Sequence, residues 1–312
     1  LARVRAHLDQ SSTMAPPTNV PSADTSASPA SPADLDAWNA WHQSRIARLT
    51  ADDGWLTLID LAFLEEGSTS IGRAANNTLR YQNLTADHLG QFVMTGKTVL
   101  FSPHADATGL ATADNRPVTE TITLTPDDQG SPTVLRDGPV SLILVRRNAR
   151  LALRVRDNAS PIRTSFAGIE RFPFDPALRI PARIEPAQPG TTIPVTNVLG
   201  FVEDQPLAAT LIFTVGGQEF RFAATAGGPN SLFICFADKT NGPESYGAGR
   251  FLEVPLPEPS SASPATTTID FNRAYNPPCS FTAFATCPLP VPSNRLPIPI
   301  RAGERKPATA GH

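Results

Sequence analysis

Sulfur, histidine and any surplus of charge are all scarce in this sequence. Its three cysteines cannot all pair within one chain, which excludes a disulfide-framework fold. There are five histidines, none near a cysteine, and no Cys-x-x-Cys pair, so the short spacings of a zinc site are missing and no metal is expected. With 26 Lys+Arg against 29 Asp+Glu the net charge is −3, which gives no electrostatic basis for a nucleic-acid or membrane partner. No apolar run approaches the roughly 18 to 20 residues needed to span a bilayer. The N-terminus also lacks the apolar core of a secretory signal, so the expected location is cytoplasmic. Gly-x-x-x-x-Gly-Lys-Ser/Thr and Gly-x-Ser-x-Gly are absent, and the only Gly-x-Gly, Gly247-Ala248-Gly249, runs into Arg250 and a strand instead of a helix. No cofactor is expected.

Proline is abundant by contrast, at 32 residues, and this argues for strands joined by stiff loops over long helices. Residues 1–33, rich in Ser, Pro, Ala and Thr without an apolar period, read as a disordered N-terminus. One amphipathic helix follows, with Asp34 or Asp36 as its cap, Trp38, Trp41, Ile46 and Leu49 on one stripe, and an end near Asp52-Asp53-Gly54. From Trp55 onward short Val-, Ile-, Leu-, Thr- and Phe-rich segments alternate with turn residues, as in antiparallel meanders. A proline-broken stretch near 157–176 separates two such runs, and Gly216-Gly217 marks a hairpin in the second. The predicted fold is mostly β, with antiparallel sandwich- or barrel-like halves at 34–160 and 161–304. One N-terminal helix opens it, a proline-rich C-terminal strap closes it, and 305–312 form a tail.

Four blocks carry a resemblance: GWLTLIDLAFLEEGSTSIG (54–72), LRVRDNASPIRTSFAGIERFPFD (153–175), FADKTNGPESYGAGRFLE (236–253) and IDFNRAYNPPCSFTAFATCPLPVPSNRLPIPIRAGE (269–304). Together they resemble the family called domain of unknown function 1684, in a fungal-type form. The resemblance implies a compact β-rich fold and brings no established reaction. It aligns Asp238, Thr240, Gly242, Tyr246, Gly249 and Arg250 with one family run, and Arg163, Phe166 and Gly168 with another. Some secreted relatives carry Pro-Tyr-Cys where this chain has Pro277-Pro278-Cys279, so the resemblance also implies that Cys279 and Cys287 are either a disulfide or free thiols.

These blocks concentrate polar side chains in apolar surroundings, which points to a small-molecule-binding β protein. As an enzyme it would do acid–base chemistry without a cofactor. Asp238, Asp270 or Glu304 would move a proton, while Arg163, Tyr246, Arg250, Asn272, Asn276 and Arg295 would hold a carboxylate- or phosphate-bearing ligand. Cys279 has no histidine at hand to activate it. A proline-rich strap also lacks N–H donors, so Asn272 and Asn276 would serve equally to pair neighbouring backbone groups. Two other functions compete. Ile71-Gly72-Arg73 followed by Thr85-Ala86-Asp87-His88 resembles a phosphopeptide-binding forkhead-associated sandwich, with Arg73 and Thr85 on the phosphate. The other alternative is a structural or scaffolding domain.

Overall fold

The computed structural model describes residues 29–257 and 265–308, so the disorder expected for the N-terminus falls, up to residue 28, outside the described residues. Helix α1 (Pro32–Thr50) begins earlier than the carboxylate caps suggest. Ser31 Oγ accepts the Asp34 N–H at 3.1 Å and the Asp34 carboxylate accepts the Ser31 N–H at 3.3 Å. Asp34 is thus the third helical residue of a capping box, and Pro32 needs no donor at the first position. The fully buried residues of α1 are His42, Arg45 and Leu49, while Trp38, Trp41 and Ile46 are half-buried, so this helix docks through a partly polar face.

The next ten strands form two five-stranded sheets. In chain order they are β1 (Leu58–Phe63), β2 (Gly67–Gly72), β3 (Leu79–Arg80), β4 (Gly90–Thr95), β5 (Thr98–Pro103), β6 (Ala111–Thr112), β7 (Ile122–Leu124), β8 (Val134–Asp137), β9 (Val140–Arg147) and β10 (Arg150–Asp157). The sheets run β1-β10-β9-β8-β6 and β3-β2-β4-β5-β7. Leu142, Leu153 and Val155 of the first share one core with Ile71, Phe92 and Phe101 of the second, which makes this half a sandwich.

The second half holds a short helix α2 (Pro161–Thr164) and eight further strands: β11 (Arg179–Pro186), β12 (Thr192–Thr196), β13 (Val202–Pro206), β14 (Ala209–Val215), β15 (Gln218–Ala226), β16 (Ser231–Phe236), β17 (Arg250–Pro255) and β18 (Thr266–Asp270). Six of them order as β17-β16-β15-β14-β11-β18, and β12 and β13 pair as a separate ribbon. The six-stranded sheet nearly closes into a barrel, since Thr267 Oγ1 on β18 reaches the Pro255 carbonyl on β17 at 2.6 Å. Between β14 and β15, Gly216 and Gly217 both take positive φ (58° and 78°), the type I′ hairpin that the glycine pair predicts. Phe213, Phe222 and Phe236 fill the barrel.

The strap closes this barrel and enters its core. Phe271 is fully buried against Phe213, Phe222 and Phe236, with ring centroids 5.4 to 6.3 Å away, and Ile300 and Ala302 lie beside it. Asn294 pairs the strand backbone with the strap: it bonds the Ala223 N–H and carbonyl and the Cys235 carbonyl at 2.8 to 3.0 Å. Gly249 is required where Pro290 crosses. Its φ is +105°, and a Cβ there would stand 2.7 Å from both the Phe236 carbonyl and Pro290 Cγ.

Candidate functional site

The residues singled out from the sequence fall into several separate clusters. Arg250 and Asp238 form a fully buried pair at 2.6 Å. The arginine also donates to the Ile300 and Ala302 carbonyls, and Asp238 accepts the Thr240 N–H at 2.7 Å and the Ile300 N–H at 3.2 Å. Burial lowers the pKa of Arg250 while Asp238 opposes that shift, so the pair holds strand and strap together as a closed unit. Glu304 is equally hidden, accepting Arg45 Nε at 3.3 Å and the Asn276 N–H at 2.7 Å. Burial raises its pKa against the pull of Arg45.

Asn272 bonds the Asp175 N–H and carbonyl at 2.8 Å and Asp270 Oδ1 at 3.0 Å, and Asn276 donates to the Arg305 carbonyl at 2.7 Å. Both amides therefore tie the strap to backbone groups beside it, at Asp175 and Arg305, while the buried Asn276 Oδ1 has no hydrogen-bond partner among the described residues. Asp270 caps the turn that follows it and stands 3.6 Å from Arg273 and 3.7 Å from Arg179. Arg163 ties the Thr50 and Asn158 carbonyls and Asp52 together, at 2.7 to 2.8 Å. Tyr246 donates to the Cys279 carbonyl at 3.1 Å, and Arg295 is exposed.

Cys235 of β16 and Cys279 and Cys287 of the strap are free and buried in one apolar cluster where strand and strap meet. The Cys279 N–H donates to Cys287 Sγ at 3.2 Å. The Cys287 side chain lowers the pKa of Cys279, and the Cys279 side chain together with burial raises that of Cys287 against the pull of the Cys279 N–H. Among the described residues no three His, Cys, Asp or Glu side chains converge as metal ligands.

The phosphate-facing residues of the sandwich are occupied by carboxylates. Arg73 pairs with Asp87 at 3.0 Å, and both the N–H and hydroxyl of Thr85 donate to Asp137, at 2.6 and 2.5 Å. A phosphate arriving at Thr85 would meet a negative charge already in place.

A cleft of about 780 Å³ lies elsewhere, between α1, the β15–β16 turn, the face of β17 and the strap. Its aromatic walls are Trp41, Trp55, Phe233, Phe251 and Tyr275. Phe251 meets Phe233 and Tyr275 edge to face, at 4.8 and 5.8 Å. Its charged groups are Arg45, Arg48, Arg273 and Glu253. Arg45 is spent on Glu304 and on the Asn276 carbonyl, which it meets at 2.7 Å. Its guanidinium also lies 4.8 Å from the Tyr275 ring centre. Among the described residues Arg48 hydrogen-bonds only Ser44 Oγ, at 3.5 Å, and the buried Nε of Arg273 has no hydrogen-bond partner but stands 3.6 Å from Asp270. Burial, with Glu253 beside it, pushes the Tyr275 phenol up.

Sequence reasoning passed over these side chains, although a signal for them was present. Trp41, Arg45 and Arg48 stand at i, i+4 and i+7 and so share one helix face. Arg273 and Tyr275 lie within the strap block itself. Behind Trp55, Arg154 and Arg156 of β10 approach the indole, with guanidinium carbons 5.5 and 5.9 Å from its centre. Burial, then repulsion from Arg147 and Arg156, brings Arg154 down to about 10.

A family described as "Protein of unknown function (DUF1684)" matches residues 164–305. Among solved structures, an uncharacterized protein of Haloarcula marismortui determined by solution NMR is 33% identical, with 46% of this chain and 78% of that chain covered and a TM-score of 0.38. No curated protein matches the chain.

Proposed function

Through residues 164–305 the chain belongs to the DUF1684 family, whose description names no activity, and we propose from the chemistry of the cleft that the protein binds a small anionic molecule there. One observation carries this reading: Arg48, with no carboxylate partner among the described residues, and Arg273, whose Nε lies 3.6 Å from Asp270, stand on the wall of an aromatic cleft of about 780 Å³. That volume suits a small organic ligand. A guanidinium fork offers paired donors that match a carboxylate or a phosphate equally well.

Asp238, Asp270 and Glu304 do not line this cleft. Should the bound molecule also be transformed, the proton-carrying groups that face it are Glu253 and Tyr275, whose hydroxyl lies 3.5 Å from Glu253 Oε1.

Calorimetric titration with a panel of carboxylates and phosphates, at low and raised salt, tests the proposal. Saturable binding that weakens with salt is expected. Replacing both Arg48→Gln and Arg273→Gln should cost at least about tenfold in affinity, as for lost charge-assisted hydrogen bonds. Binding untouched by the double variant, or no binding across the panel, overturns the reading.

A further inference from the structure

We infer that the ligand of this cleft is an anion carried on an electron-rich planar ring, a proposal that rests on the anion-binding reading above and narrows it. A cleft with aromatic walls and one carboxylate, Glu253, has a plain rival occupant: a quaternary ammonium or other cation, held over the ring faces and paired with the glutamate. The arrangement of arginines decides against that rival.

The π face of an aromatic ring is its negative side, and a cation is attracted to it only while that charge is not already answered. Two of the walls are answered from within. Arg154 and Arg156 stand 5.5 and 5.9 Å from the Trp55 ring centre and do not line the cleft. Arg45 lies 4.8 Å from the centre of Tyr275. Each of these rings is polarised toward a guanidinium. Of the charged groups lining the cleft, Arg45 is answered by Glu304 and Arg273 stands 3.6 Å from Asp270, which leaves Arg48 and Glu253 without an ion pair among the described residues. A second cation would find the faces of Trp55 and Tyr275 already answered. A ring of high electron density would stack favourably on the depleted indole while its anionic substituent reaches Arg48 or Arg273. Arg154 makes no direct ion pair among the described residues; Asp127, the carboxylate that acts on it, is held by Arg147.

The test is a calorimetric series of para-substituted phenylacetates, from 4-methoxy to 4-nitro, with cyclohexylacetate, phenyl phosphate and benzyltrimethylammonium as controls. Affinity should rise with electron donation by the ring, cyclohexylacetate should bind at least about fivefold more weakly than 4-methoxyphenylacetate, and the ammonium should not bind. The variant Arg154→Met keeps the bulk of the side chain. It should flatten the substituent trend by about two- to fivefold, as expected for one lost cation–π contact, a change that a merely structural role would not produce. Cyclohexylacetate binding as tightly as the aromatic acids, or an unchanged trend in Arg154→Met, overturns the ring proposal and leaves the anion site standing. Tightest binding by benzyltrimethylammonium, or no binding by any anion, overturns both.

Discussion

At the scale of single residues, the chain spends its family-motif polar groups on closure. Arg250 is the largest fully buried side chain, and its partner Asp238 is sealed with it. Two charges removed from water are tolerable only while each answers the other. Asp238→Asn would strand the arginine, and a loss of about 3–5 kcal/mol in urea-unfolding free energy is expected, as for other broken buried pairs. A variant with both Asp238→Asn and Arg250→Met should recover part of that loss, because no uncompensated charge remains. Sequence could locate these residues but could not reveal what they face, because a polar side chain that serves the backbone and one that serves a ligand look alike in a single chain. Asn272 and Asn276 illustrate this: their role in satisfying the strap was foreseeable from its prolines, whereas a ligand role was an equally good reading.

At the scale of elements, most strands were legible because their β-branched and aromatic residues cluster between turn residues. Two of those left out were β13 and β18. The first, Val-Glu-Asp-Gln-Pro, is an exposed ribbon strand with no apolar alternation to detect. The second, Thr-Thr-Thr-Ile-Asp, turns only Ile269 into the core, yet it brings the barrel close to closure. Helix α1 was legible as a helix but not in its docking, which relies on His42 and Arg45 as much as on Leu49. Burial, with Arg171 and Arg45 nearby, lowers His42 from 6.5 to about 4. Its folded pKa lies below its unfolded one, so the unfolded chain binds more protons between those values and stability must fall as pH drops from about 6.5 toward 4. Urea midpoints measured across that window should show this slope, and it should be reduced in His42→Leu.

At the scale of the whole molecule, two cores, one in the sandwich and one in the barrel, are braced by α1. The first turns of the helix reach the second half, through Asp34 to Arg179 at 2.6 Å and Trp38 Nε1 to the Asn272 carbonyl at 2.9 Å. At its far end, Arg163 ties the Thr50 carbonyl to the loop after β10. Thr282 adds a strap contact to the Leu58 carbonyl at 3.2 Å. Arg163→Ala removes both of these Arg163 bonds and the one to Asp52, so a loss of about 1–3 kcal/mol is expected. Scanning calorimetry should then show a van't Hoff enthalpy below the calorimetric one, the mark of two halves that no longer melt as one unit. An unchanged ratio would mean that the remaining contacts suffice.

The three tryptophans of the chain, Trp38, Trp41 and Trp55, all stand where helix, strap and cleft meet. Its intrinsic indole emission is therefore a signal from a single locality. A shift in that emission would report events at this junction, including those of β10 beside Trp55, while rearrangements confined to the β3-β2-β4-β5-β7 sheet, which carries no tryptophan, would pass without changing its colour.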